Sequence, residues 1–192
     1  MVKIDQIISM ISDTKLREAT LMAFNQYRDI FMVDLASVNE NQSYSGGLLD
    51  HTLLVTLISI SIIQRMVEPL MILYNSDHII IASIFHDFEK LKRFTFKKPI
   101  FQTCRDVIEF LEENNIDEPE IINGIMYLHN GNSYDKDYEI CGGIISISES
   151  IATNRIKKLN ETRRMIEEIY KHIFKSSDFP PDTPLQNTRM RF

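Results

Sequence analysis

The chain has 192 residues, 44% of them hydrophobic and 25% charged, with a formal net charge of −6. That balance fits one globular unit with a substantial core, and the negative charge argues against a nucleic-acid binder working by bulk electrostatics. Two cysteines, Cys104 and Cys141, without a CxxC spacing, exclude a thiolate metal site and a disulfide framework, which points to a reducing cytoplasm.

In chain order the pattern is helical nearly throughout. The first residues, Met1 to Asp5, carry an acid and run into Ser, Asp and Lys, so no signal peptide is expected. Ile4 to Met10 begins a short helix. Thr14 is read as the N-cap of the next, whose apolar face is Leu21, Met22, Phe24, Tyr27 and Ile30. A polar loop, Ser37 to Ser45, leads to Gly46-Gly47. The helix from Leu48 to Leu73 is apolar nearly all round, which places it at the centre, with Pro69 kinking it or ending it early. Its longest apolar run, Leu53 to Ile63, is too short to cross a bilayer, so no membrane partner is expected. His78 to Leu91 and Thr103 to Glu113 follow as helices. Asp117-Glu118-Pro119-Glu120 starts another, running to His129, because Asp and Glu three apart form a capping box around a first-turn proline. Tyr138 to Leu159 and Glu161 to Phe174 complete the set. The expectation is an all-α bundle of about six or seven helices over residues 1–175, with an irregular or disordered tail at 176–192. The one strand candidate is a short hairpin between Arg93 and Gln102.

Two stretches carry the chemistry: Gly46-Gly47-Leu48-Leu49-Asp50-His51-Thr52 and Phe85-His86-Asp87-Phe88-Glu89-Lys90. Burying Asp87 at the end of the apolar run Ile79 to Phe85 costs several kcal/mol unless it is paired or bound to a cation. His and carboxylate together form a mixed N/O donor set, suited to a catalytic divalent metal rather than a closed thiolate site. The glycines before His51 allow close backbone approach at that helix start.

Both stretches resemble the signature of the HD superfamily of metal-dependent phosphohydrolases, whose ligands run H…HD…D. The nearest look is to the branch of HD-type 3′→5′ exoribonucleases and nucleotide phosphohydrolases. The resemblance covers roughly residues 40–155. It implies an HD-type bundle, with His51, His86 and Asp87 as ligands of one divalent metal. The fourth ligand of the family is an aspartate on a later helix. Glu149 stands there, the only acid between Glu139 and Glu161, and the alternative for it is a solvated face residue. His129 resembles the first histidine of a His-His-Gly stretch, but Asn130 replaces the second, which favours one metal over two. His129 then lies near the substrate phosphate or serves as a weak extra ligand, or caps its helix against chain carbonyls. Lys90 matches the family lysine. Glu89 departs from the family glycine and either acts on the nucleophilic water or pairs with Lys92 or Arg93.

The implied reaction is hydrolysis of a phosphoester in a nucleotide or single-stranded nucleic acid, with Lys90 and Glu89 catalytic and Arg93 and His129 binding substrate. Phe94 and Phe96 in the basic loop beyond the motif either stack a base or anchor the core. Two rivals remain: a regulatory HD module that binds without turnover, and a nuclease subunit of a nucleic-acid processing complex. A homodimer is compatible with either. His78 and His172 receive no role.

Overall fold

A computed structural model describes residues 3–37, 43–66, 74–130, 139–155 and 159–175. The expected end of the central helix at Pro69 and the expected tail at 176–192 lie outside the described residues. Among the described residues the chain forms helices and no strand. In order they are α1 (Ile4–Ile8), α2 (Thr14–Asn25), α3 (Arg28–Phe31), α4 (Gly47–Ile63), α5 (Ser76–Phe85), a 3-10 turn (Phe88–Lys90), α6 (Cys104–Glu113), α7 (Pro119–Asn130), α8 (Glu139–Arg155) and α9 (Leu159–Lys175).

The all-α bundle is therefore what forms, with short α3 added to the helices read from the sequence. The segment expected to run as one helix from Thr14 past Ile30 breaks at Gln26–Tyr27 and resumes as α3. Its cap is Asp13 rather than Thr14: one carboxylate oxygen accepts the backbone N–H groups of both Lys15 and Leu16.

Helix α4 has no polar face, and it packs against α5, α8 and α9 with most of its residues buried. Helix α5, equally apolar, packs against α4, α7 and α8. Leu53, Leu54, Val55, Leu57 and Ile60 of α4 and Ile79 to Ile81 and Ile84 of α5 are all buried. Each such side chain contributes about 1.5–3 kcal/mol relative to exposure, so these helices form a rigid centre to which the site is attached.

Close approaches at two of the glycines position these elements. Gly46 turns into α4 at φ 80, and a Cβ there would lie 3.1 Å from the Met32 carbonyl oxygen. Gly142 of α8 faces Tyr127 of α7, where a Cβ would come within 2.4 Å of the tyrosine side chain. Of the Gly142-Gly143 pair, only the first makes the helix contact; a Cβ at Gly143 meets nothing.

The helix expected over His78 to Leu91 stops at Phe85. His86 Nδ1 donates to the Ser83 carbonyl at 2.7 Å, and His129 Nε2 donates to the His86 carbonyl at 3.1 Å. Side chains thus use carbonyls that face the continuing helix. Asp87 leaves helical geometry at φ −112, ψ 16, and Lys92 takes φ 60 with its N–H on buried Asp34 Oδ2 at 2.6 Å. The stretch from Arg93 to Gln102 is a run of turns and bends, not a hairpin. Phe96 is exposed there, with the Lys92 ammonium 5.8 Å over its ring, so it anchors no core.

Candidate metal centre

Helix α4 presents His51 just after its glycine entry, the end of α5 presents His86 and Asp87, and α8 presents Glu149 from its interior. All four donor atoms lie within 4.8 Å of one another. His51 Nε2 is 2.8 Å from Glu149 Oε2 and 3.2 Å from Asp87 Oδ2. His86 Nε2 is 3.4 Å from Glu149 Oε2 and 3.5 Å from Asp87 Oδ2. The two histidines and Asp87 are buried, whereas the Glu149 side chain keeps 26% exposure and marks the open side.

The donors fit a cation. His51 Nε2, His86 Nε2 and Glu149 Oε2 are buried, yet none has a hydrogen-bond partner in proper geometry. Their lone pairs converge instead of aligning along N–H···O lines, and spacings from 2.8 to 3.5 Å suit atoms sharing one ion at ~2.0–2.2 Å. His86 is already set for this role. Because its Nδ1 gives a proton to the Ser83 carbonyl, the neutral ring carries its lone pair on Nε2, facing the cluster.

Charge makes the same demand. Burial pushes the Asp87 carboxyl up, but the charges of His86, Lys90 and His51 hold it well below the usual carboxylate range. Burial opposes the Glu149 anion as well, yet His51 and His86 keep its pKa far below normal. Burial alone lowers the His51 ring; Asp87 and Glu149 outweigh it and push it up to about 9, and His86 moves the same way. The buried Asp87 anion and the partly buried Glu149 anion therefore call for positive charge beside them, which Lys90, protons on the imidazoles or a divalent cation supply.

Serine hydroxyls align the three helices that carry the donors, a feature the sequence reading missed. Ser83 Oγ of α5 donates to Ser59 Oγ of α4 at 3.2 Å, Ser59 donates to Ser148 Oγ of α8 at 2.9 Å, and Ser148 ends the chain on the Ile144 carbonyl at 2.8 Å. All three serines are buried, and Ser148 directly precedes Glu149. Phe88, directly after Asp87, is fully buried against Phe85, with ring centroids 4.6 Å apart, and against Phe31 at 5.0 Å. These contacts leave the turn that carries His86 and Asp87 little freedom.

The remaining residues singled out in the sequence take distinct places. Lys90 Nζ sits 2.6 Å from Asp87 Oδ2. Burial lowers its pKa, but Asp87, Glu149 and Glu89 raise it overall, so it is a cation within the site's field. Arg93 donates from its guanidinium to the Gln102 carbonyl at 3.1 Å, pinning the basic loop. It does not extend a helix from Lys90. His129 is a carbonyl-facing histidine near the end of α7, and its partner is His86 of the donor cluster. Glu89 is buried and pairs with neither Lys92 nor Arg93; His129 Nε2 lies 3.8 Å from its Oε2, beyond hydrogen-bond length. Burial, then the Asp87 charge, raises the Glu89 pKa. Glu89, Arg93 and His129 line a cleft of about 330 Å³ together with Gln102, Thr103, Cys104, Arg105 and Met126.

No family model, curated protein or solved structure matches this chain. The fold and site define an all-helical protein with a His/Asp/Glu cluster able to hold a metal ion. No helix among the described residues is long and apolar enough to cross a membrane.

Proposed function

We propose that this protein is a metal-dependent phosphohydrolase of HD type, acting on a phosphoester of a nucleotide or oligonucleotide. The observation that carries the reading is the convergence of His51, His86, Asp87 and Glu149, of which His51 Nε2, His86 Nε2 and Glu149 Oε2 are buried without a hydrogen-bond partner. His51, His86-Asp87 and a later acid stand in the H…HD…D order, with Glu149 in place of aspartate. His51, His86, Asp87 and Glu149 would hold a divalent ion, which would supply Lewis-acid activation of water and of the phosphoryl group.

The chain's own residues do the rest. Ser83 fixes the His86 tautomer through its carbonyl, so the ring offers Nε2 without a change of hydrogen bonding. Lys90 places a full positive charge beside Asp87, where it attracts the phosphate and offsets charge that develops on it. Arg93, at the wall of the adjoining cleft, adds a second cation along the substrate's approach.

The Lys90–Asp87 pair also favours a second reading. Lys90 partly neutralises Asp87 without a metal, as suits a regulatory module that binds a nucleotide and does not turn it over. A panel of phosphodiesters and phosphomonoesters, assayed with Mn²⁺, Mg²⁺, Zn²⁺, Ni²⁺, Co²⁺ and Fe²⁺, separates the two. Metal-dependent turnover of at least one phosphoester supports the hydrolase. Nucleotide binding without turnover under every metal favours the module.

A further inference from the structure

The segments that carry His51 and Asp87 are tied to each other through a short stretch, Phe31 to Asp34, that contributes none of the clustered donors. On the α4 side, Gly46 stands at the N-cap without a side chain, so the first N–H groups of the helix find acceptors elsewhere. Gly47 donates to the Tyr44 carbonyl at 2.8 Å, and Leu48 donates to the Asp34 carbonyl at 3.1 Å. The Met32 carbonyl lies against Gly46, where a Cβ would come within 3.1 Å of its oxygen. His51 follows Leu48 by just under one turn of the same helix.

The same stretch grips the turn after α5. Phe31 packs on Phe88, with ring centroids 5.0 Å apart, and Asp34 Oδ2 accepts the Lys92 N–H at 2.6 Å. Lys92 takes φ 60, a left-handed conformation that is unfavourable for any residue but glycine, and the bond to Asp34 offsets that cost. Between Asp87 and Lys92 the turn is closed by its own bonds: Lys90 N–H donates to the Asp87 carbonyl at 2.9 Å, and Leu91 N–H to the Phe88 carbonyl at 3.1 Å. One end of this turn presents Asp87 to the donor cluster, and the other is fixed on Asp34. Asp34 is 1% exposed, and its Oδ1 has no hydrogen-bond partner. A buried carboxyl group with an unmet oxygen is costly where an apolar side chain would pack, so the bond that its Oδ2 makes must matter.

We infer that Asp34 is a positioning residue for the donor cluster: its carbonyl on Leu48 and its side chain on Lys92 fix the His51 helix against the Asp87 turn. The inference rests on the reading of the four donors as a metal site, but it is tested with and without metal, and no turnover is needed. Equilibrium dialysis of the folded full chain with each divalent metal that the wild type holds gives the affinities. Asp34→Ala keeps the carbonyl but removes the bond to Lys92, and should bind metal at least tenfold more weakly. Asp34→Asn keeps the shape and an acceptor oxygen, and should stay within threefold of the wild type. Ile7→Ala removes buried bulk from α1, which carries no donor; it should lower the unfolding midpoint and leave metal affinity unchanged. Amide hydrogen exchange with a chelator present reads the tie itself. Exchange at Lys90, Leu91 and Lys92 should rise at least tenfold in Asp34→Ala, less than threefold in Asp34→Asn, and not at all in Ile7→Ala. If Asp34→Ala does not fold, the comparison is made in a Lys92→Gly background, where φ 60 has no steric cost, and the double variant should bind metal at least fivefold more weakly than Lys92→Gly alone. Wild-type affinity in Asp34→Ala, an Asp34→Asn as weak as Asp34→Ala, or unchanged exchange in the turn overturns the inference. A wild type that holds no metal, with exchange still dependent on Asp34, defeats the metal reading alone; a metal-holding wild type with neither affinity nor exchange changed in Asp34→Ala defeats the role of Asp34 alone.

Discussion

In the metal-free protein, raising the pH from 6.5 to 9 should weaken the fold. His51 ordinarily titrates at 6.5 and is pushed up to about 9 between Asp87 and Glu149. A group whose folded pKa exceeds its unfolded one stabilises fully below the unfolded value, and the gain is lost as pH rises through the folded value. At ~1.36 kcal/mol per pH unit, that rise corresponds to about 3 kcal/mol. His86 shifts in the same direction and adds to the loss. The assay is urea unfolding in the presence of a chelator across this window. With a slope of ~2 kcal/mol per molar, the midpoint should fall by about 1.5 M. A bound cation replaces the imidazole protons, so saturating metal should remove the fall and make apparent metal affinity increase with pH over the same range. His51→Gln with chelator should lose at least half of the slope. A chelated wild type whose midpoint is flat or rises from pH 6.5 to 9, or a His51→Gln protein with the wild-type slope, would refute this reasoning.

Three further outcomes follow from the same geometry. Glu149→Gln keeps the shape but loses the charge that faces both histidines, so equilibrium dialysis should show metal affinity at least tenfold weaker, about 1.4 kcal/mol, with unchanged helicity. Lys90→Ala should retain stoichiometric metal while kcat/KM on a phosphoester falls more than tenfold, about 1.4 kcal/mol; a change within twofold would remove Lys90 from the reaction. Ser148→Ala leaves the buried Ser59 hydroxyl without its acceptor and should cost about 1–3 kcal/mol in urea unfolding, with a smaller loss in Ser83→Ala, which removes only a donor.

The donor set was legible in part from the residues themselves and in part only through the resemblance to the H…HD…D order, which is what pointed to His51 and Glu149. His86-Asp87 closes an apolar run, so burial of the carboxylate without a partner argued for a cation before any geometry was known. The central place of α4 was legible from its lack of a polar face. The early end of α5 was not, because it depends on distant partners: His129 reaches the His86 carbonyl, and Asp34 holds the Lys92 N–H. Periodicity through Leu91 carries no trace of either. The serine chain was hidden for a related reason. Ser59, Ser83 and Ser148 read singly as small residues tolerated in apolar helices, and only the packing of α4, α5 and α8 turns them into one network. The cleft draws its walls from the turn after α5, the start of α6 and the interior of α7, so Cys104, Thr103 and Met126 carried no sequence signal for it.

The central claim, one cation held by four donors from three helices, is tested most directly by metal content. Elemental analysis of the purified chain, after equilibration with each divalent metal and desalting, is compared with His51→Ala, His86→Ala, Asp87→Ala and Glu149→Ala. The geometry predicts one ion per chain in the wild type for at least one metal, lost in the His51, His86 and Asp87 variants and sharply reduced in the Glu149 variant. Stoichiometric metal persisting in folded His86→Ala and Asp87→Ala, or a wild type that retains none of the metals offered, would contradict it.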